Sequence, residues 1–561
     1  MNELIIVKPE NCVGCNACVR TCPAPEANIT KQLDDGRFVT TVNPDKCIAC
    51  GECVRNCSHG ARDYIDDTNR AMELVSAKGN RIIVIVAPAI KTVYPDKWKS
   101  ILNWFKSKGC AVYDVSFGAD ICTWAHLRAI EQRKVGNVIT QPCAAIVKYA
   151  ETYQPKLLNN LSPIHSPMLC GVTYIKKYLH RTEKILALSP CVAKKNEFNE
   201  TGLVDFNVTF KKLKEWFEIN NIVIPTNSSN DFKYDFEGSQ GQLGAIYPRI
   251  GGLRDNLWMH NPDINITTSE GVHKVYPELD MYAELSEGKK PEVFDVLSCE
   301  FGCNIGAGTG TKRTIFDIME TMREVEREAK SRRKTSGGFF RGAEDKLFKH
   351  FDETLNINDF MRSYQPSTPT PVPPEKALDA VFEMMGKHTE AERNFNCHAC
   401  GYRSCREMAT AILRGLNTSD NCIVHAKTVL VARHTILAQQ HEKLTEISER
   451  CKELSGMLNS NVISILENMF AISKSTDKSD NLSEQVHELL NNVIAYCGTS
   501  NQLDEKGIDT LIEILRTTGE AFNGLSDNIK DTNENTAQVK QKVEEIKNLV
   551  DDINQTLDDV D

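Results

Sequence analysis

The sequence predicts an α/β multidomain protein that ends in a helical coiled coil. Three features carry this expectation. Short apolar runs alternate with helical patterns in the first half of the chain. Sixteen of the 21 cysteines fall into groups with metal-ligand spacing. A proline-rich stretch then leads toward a polar tail without proline. At roughly 150 residues per domain, a chain of 561 residues holds three or four domains.

Residues 82–87 form a continuous apolar run between Arg81 and Pro88 and read as a buried strand. Similar runs at 111–115, 137–139 and 185–188 are separated by helical patterns around 97–108, 121–134 and 171–180. That alternation is the signature of an α/β domain. Residues 365–374 can continue neither a helix nor a central strand and read as a stiff linker. From about 433 the chain is polar and helical. Apolar and threonine residues there alternate steps of three and four: Phe522, Leu525, Ile529, Thr532, Thr536, Val539, Val543, Ile546, Val550, Ile553, Leu557 and Val560. This is a coiled-coil stripe, and it most simply implies a parallel homodimer.

Composition excludes several classes. An apolar fraction of 41% supports globular cores. A net charge of −10 argues against nucleic acid as a partner, because phosphate binding needs a basic face. No apolar run approaches the roughly 20 residues that span a bilayer, so no membrane segment is expected. Residues 1–7 lack a basic region and a long apolar stretch, which predicts a cytoplasmic location. A reducing compartment turns clustered cysteines toward metal rather than disulfides.

Cys12-x2-Cys15-x2-Cys18-x3-Cys22-Pro23 is followed by Cys47-x2-Cys50-x2-Cys53-x3-Cys57. In such a doubled run the fourth cysteine of each ligates the other cluster. One 4Fe-4S cluster then takes Cys12, Cys15, Cys18 and Cys57, and the second takes Cys47, Cys50, Cys53 and Cys22. The segment resembles a bacterial two-cluster ferredoxin, which moves single electrons. Cys397-x2-Cys400-Gly401-Tyr402-x2-Cys405-x16-Cys422 resembles the small 4Fe-4S module of corrinoid-linked and electron-transport proteins. It would be a further electron entry or exit point, or a redox sensor.

Between these groups, Thr140-Gln-Pro-Cys143, Ser189-Pro-Cys191-Val-Ala-Lys194-Lys195-Asn-Glu197 and Leu297-Ser-Cys299-x3-Cys303 supply four thiols from three distant loops. Ligands so far apart suggest a site built at a domain interface. Over residues 80–362 the chain resembles the catalytic domain of FeFe hydrogenases, whose three loops read TSCCPxW, PCxAKKxE and CPGGCxxGGG. The resemblance implies an H-cluster: a 4Fe-4S cubane joined to a two-iron centre with CO, CN⁻ and a dithiolate amine. By that match Cys143, Cys191, Cys299 and Cys303 would hold the cubane, with Cys303 bridging to the two-iron part. Lys194 matches the lysine at a cyanide ligand. Ala87, Pro88, Gly251 and Gly252 match pocket backbone, and Met168, Ser189 and Leu297 occupy pocket positions where the family has other side chains.

The expected segments are therefore a ferredoxin-like domain with two 4Fe-4S clusters (1–78), a hydrogenase H-cluster domain (79–362), a linker (363–378), a small 4Fe-4S module (379–432) and the helical tail (433–561). That makes three clusters besides the H-cluster. The family's relay cysteine is replaced by Pro142, and Cys122, Trp124, Ala125 and His126 stand where relay glutamates are expected. Thr-Gln-Pro-Cys together with residues 166–170 looks like the group B branch. Cys170 is the expected substitute relay, with Cys122 and His126 as rivals. The implied partners are a ferredoxin-like electron carrier and hydrogenase maturation proteins. The rival function is a hydrogen or redox sensor with a helical signalling tail.

Overall fold

The doubled cysteine run folds around two antiparallel pairs of short strands. β1 (Ile5–Val7) pairs with β4 (Arg62–Tyr64), and β2 (Asn28–Gln32) pairs with β3 (Phe38–Val42). A four-residue helix sits inside each run, α1 (Ala17–Arg20) carrying Cys18 and α2 (Glu52–Arg55) carrying Cys53. Each starts from a left-handed residue, Asn16 at φ 56° and Gly51 at φ 76°. That turn lets the chain wrap rather than extend between ligands. The computed structural model describes residues 3–77, 81–132, 135–140, 143–227, 236–335, 346–367, 370–499 and 505–558.

The next region is α/β, as the alternation predicts. Its strands are β5 (Ile82–Val86), β6 (Ala111–Asp114), β7 (Val138–Thr140), β8 (Lys184–Ser189), β9 (Phe206–Thr209), β10 (Ile266–Glu270) and β11 (Val293–Leu297). They form two parallel sheets, ordered β6-β5-β8-β9 and β10-β11-β7. All five residues of β5 are buried, which fits a parallel strand covered on both faces. The sequence pattern misses the second sheet as a separate unit. The buried Asp295 interrupts the apolar run of β11, and β10 reads Ile-Thr-Thr-Ser-Glu, so neither stands out as a strand.

Four helices position the site: α3 (Val115–Glu131), α4 (Ala144–Thr152), α5 (Pro167–Thr173) and α6 (Lys194–Thr201). α3 starts ahead of the expected 121, because the Asp114 side chain accepts from Ser116 N at 2.9 Å and caps it. The expected helix over 171–180 starts earlier, as α5, and widens into a π turn at Tyr174–Tyr178.

The proline-rich stretch is extended but not free. Ser367 N donates to Glu151 O at 2.7 Å, and Thr370 bonds both Lys46 and Glu26. Thr368 and Pro369 in this stretch lie outside the described residues, as does Pro142. The 397–422 segment packs on the first cysteine run. Val19 and Cys18 share one apolar cluster with Cys400, Tyr402, Cys405 and Cys422. Asn16 Nδ2 donates to Asn421 Oδ1 at 2.9 Å, with both residues buried. The first compact unit accordingly runs Met1–Ala426, and the second is Lys427–Asp561.

The second unit is a helical hairpin. α7 (Cys405–Leu413) belongs to the cysteine module, α8 (Ile423–Thr499) runs into the tail, and α9 (Glu505–Asp558) folds back along α8. Ser475 bonds Asn528 O at 3.0 Å and Thr532 at 2.8 Å, and Lys542 reaches Asn461 at 3.4 Å. These pairs run in opposite directions along the two helices, so the packing is antiparallel and within one chain. The expected parallel homodimer concerns pairing between chains, which this hairpin within one chain does not address. The stripe divides: Leu525, Thr532, Val539, Ile546 and Ile553 are half-buried, whereas Phe522, Ile529, Thr536, Val543 and Val550 are exposed. The Leu557 side chain and Val560 lie outside the described residues.

Replacing Asn421 with alanine leaves the Asn16 amide buried without its partner, at a cost of about 1–3 kcal/mol. Limited proteolysis is expected to cut the 394–424 segment faster in Asn421→Ala than in the unaltered protein.

Candidate metal centre

The parallel sheets bring distant cysteines together. Cys143 follows β7, Cys191 follows β8, and Cys299 and Cys303 follow β11. Ala87 and Pro88 follow β5. All of these lie beyond the carboxyl ends of parallel strands, the edge at which open α/β sheets build their sites. One pocket is lined by Ala87, Pro88, Met168, Lys194 and Leu297 together with all four cysteines.

The thiols form one electrostatic group. Burial pushes Cys299 and Cys303 well above the ordinary thiol range, and the neighbouring thiols add to the effect. Burial pushes Cys191 up to about 11, with Cys143 adding and Lys194 opposing. Without cationic iron such thiols stay protonated, whereas ligation requires thiolates. Four sulfur donors in a dry, largely apolar hollow fit an iron–sulfur cluster. Among the described residues, no three ligand-type side chains close to single-ion spacing. A cubane does not require it, since its four thiolates stand apart around the cage.

Lys194 is 6% exposed and lies on the pocket wall. Its Nζ donates to Glu197 Oε2 at 2.6 Å, one helical turn along α6. Ser166 Oγ donates to the same oxygen at 2.9 Å, and Arg362 stands 3.5 Å from Oε1. The ion pair holds the lysine in place, because a buried ammonium needs a counter-charge.

Four expected site residues do not line this pocket. Ser189 is fully buried and donates to Asn207 Oδ1 at 2.6 Å, so it orders the Cys191 loop from behind. Gly251 and Gly252 begin a helix behind Tyr247; a Cβ on Gly252 would lie 2.4 Å from Ile246 O. Cys170 follows Met168 on α5, fully buried, and donates to His165 O at 3.3 Å. Burial pushes its thiol well up, and the Cys122 thiol adds to this. Sequence reasoning missed Tyr247, which lines the pocket from a segment with no motif. It also left Glu197 as a motif letter without a role.

The other cysteine sets are ordered relative to this centre. Cys22 has Cys47 as a charged neighbour, and Cys50 and Cys53 both have Cys22, which is the company that crossed ligation requires. Cys12 and Cys15 are neighbours of Cys18. Asn56 bonds Thr21 at 3.3 Å and so sets Cys57 beside the first run. A Cβ on Gly51 would lie 2.5 Å from the Cβ of Ala307 and 3.6 Å from Val192. That close approach seats the second run against the Cys191 and Cys303 loops. In the third set, Cys400, Cys405 and Cys422 are buried and Cys397 is exposed.

The fold and the four cysteine sets define an iron–sulfur type of protein, with one pocket lined by four thiols. Residues 80–307 match the family described as iron only hydrogenase large subunit, C-terminal domain. Residues 11–61 match a 4Fe-4S dicluster domain, and 394–424 match a putative Fe-S cluster family. The chain thus joins a segment similar to the C-terminal domain of the iron-only hydrogenase large subunit to segments similar to ferredoxin-like and further iron–sulfur modules. Iron hydrogenase 1 of Clostridium pasteurianum is 26% identical over 216 residues, 33% of this chain and 37% of that protein. The periplasmic Fe hydrogenase large subunit of Nitratidesulfovibrio vulgaris is 23% identical over 382 residues, 57% of this chain and 89% of that protein. A solved FeFe-hydrogenase from Chlamydomonas reinhardtii is 13% identical, covering 55% of this chain and all of that one, with a TM-score of 0.39. The chain spans little more than a third of the length of the Clostridium relative.

Glu197→Gln removes the buried counter-charge of Lys194 while keeping its shape. Loss of one partner of such a pair costs about 3–5 kcal/mol. The apparent unfolding temperature is expected to fall clearly below that of the unaltered protein.

Proposed function

We propose that this protein is an FeFe hydrogenase catalysing 2H⁺ + 2e⁻ ⇌ H₂. The observation that carries this reading is the convergence of Cys143, Cys191, Cys299 and Cys303 on one pocket walled by Ala87, Pro88 and Lys194. When bound, the H-cluster supplies the iron chemistry at which protons and electrons combine. The chain's own residues hold and shield it. Ala87, Pro88, Met168 and Leu297 make an apolar wall that limits water. Lys194 lines the pocket, and a charge-assisted bond from its ammonium to an anionic ligand there would be stronger than a neutral one.

The three further sets would each hold a 4Fe-4S cluster. Their order is the 397–422 module on the first run, and the second run on the catalytic loops. A ferredoxin-like carrier would meet the exposed Cys15 or Cys397 end, and maturation proteins would deliver the two-iron part. A cytoplasmic location fits many thiols kept reduced; among the described residues no helix is long and apolar enough to cross a membrane. The relatives are hydrogenases, which favours turnover over the sensor reading. The exposed half of the tail stripe supports a homodimer, since a second hairpin would cover it.

Infrared spectroscopy of the matured protein is expected to show CO and CN⁻ bands, with hydrogen evolution from a reduced carrier. Absence of those bands after maturation would leave an electron-transfer protein instead. For the tail, light scattering is expected to give a dimer mass that falls to the monomer in the double variant Phe522→Glu/Ile529→Glu. A monomer in the unaltered protein would refute the dimer.

A further inference from the structure

The proposed reaction needs protons in a pocket whose wall is nearly apolar. Pro142 offers none, and α3 lacks the expected glutamates. Beneath the pocket, however, α3 carries a compact polar cluster. Ala119 lines the pocket, and Cys122, Thr123 and His126 follow it, each no more than 2% exposed. Cys122 Sγ lies 3.6 Å from His126 Nδ1, one turn along the helix. His126 Nδ1 also bonds Cys122 O at 2.8 Å, and its Nε2 bonds Ser162 Oγ at 2.8 Å. Tyr247 joins this cluster to the pocket: it lines the wall, its hydroxyl lies 2.8 Å from Thr123 Oγ1, and the neighbouring Cys122 thiol acts on it electrostatically, while that thiol itself donates to His165 O at 3.4 Å.

We propose that Cys122 and His126 form a buried thiol–imidazole proton store that serves the pocket through the Tyr247 hydroxyl. This rests on the hydrogenase reading and replaces Cys170, the relay expected from sequence. Cys170 does not line the pocket; it shares the His165 carbonyl with Cys122, the two thiols lying 3.3 and 3.4 Å from that oxygen.

The surroundings suit one mobile proton. Burial alone would raise the Cys122 thiol, but the adjacent Cys170 thiol and the charge of His126 hold it below the ordinary thiol range. Burial alone would lower His126, but the Cys122 charge raises it. The other titratable groups facing the pair are His165, Tyr247 and Asp295. Burial pushes His165 down to about 4, so it is neutral. Burial keeps Asp295 above the usual carboxylate range, and Thr140 bonds it at 3.1 Å. Lys194 and Glu197 act on the adjacent Cys170.

The proton count closes. The pair holds one proton either as thiol with neutral imidazole or as thiolate with imidazolium. The thiol gives its proton to the Tyr247 oxygen as the tyrosine's own proton enters the pocket. A thiolate beside neutral imidazole remains, and one proton entering at Nε2 from the Ser162 side restores the pair.

The test uses the protein loaded with cubanes alone and the matured enzyme. In the first, an S–H infrared band that titrates with pH is expected. It should vanish in Cys122→Ala, shift its midpoint in His126→Gln and persist in Cys170→Ala. In the second, Tyr247→Phe should cut hydrogen evolution by roughly 10²-fold, the scale of a lost proton-transfer group, and enlarge the solvent isotope effect. Its CO and CN⁻ bands should stay unchanged. The proposal is overturned if the unaltered protein minus Cys122→Ala difference spectrum holds no titrating S–H band, or if Tyr247→Phe keeps full turnover with an unaltered isotope effect. Missing CO and CN⁻ bands in the unaltered matured protein would instead overturn the hydrogenase reading, and the thiol titration remains readable.

Discussion

Four half-buried thiols gathered at the carboxyl ends of parallel strands set the constraint on which the rest of the structure depends. A buried thiolate is costly, and four together cost several times more. Iron resolves that conflict by taking up the negative charge. The two parallel sheets are needed because they deliver Cys143, Cys191 and the 299–303 loop to one edge. A site assembled this way is tied to the stability of both sheets at once.

The iron–sulfur modules obey a packing requirement as well as a ligand requirement. Gly51 and Ala307 approach so closely that the second cysteine run is seated directly on the Cys191 and Cys303 loops. Elsewhere, Asn16 and Asn421 bond across the contact between the first run and the 397–422 module. The proline-rich stretch ties the same parts through Thr370 and Glu26. It fastens the modules to one another instead of separating them, which is the reverse of what a free linker would do.

Polar groups are rationed around the pocket. Lys194 and Glu197 neutralise each other on one side, and the Cys122–His126 pair lies beneath the other. Both pairs are spaced within one helical turn, so each is held by a rigid element and not by a loop. Dry walls strengthen every charge interaction within them, and the same dryness makes an unpaired group expensive.

The cysteine spacings and the tail stripe were legible in the sequence because each is a local pattern. The runs at 12–22 and 47–57 wrap their ligands within a few residues, and heptads follow from the pitch of a single helix. The second sheet was not legible, since Asp295 interrupts β11 and β10 is polar. Neither was the position of Cys170, which depends on the turn of α5 relative to the pocket, nor Tyr247, which reaches it from an unmarked segment. The antiparallel return of α9 along α8 divided the stripe into covered and exposed halves. Chain-local spacing can specify ligands and periodicity, but which side chains meet across distant segments is set only when strands and helices pack.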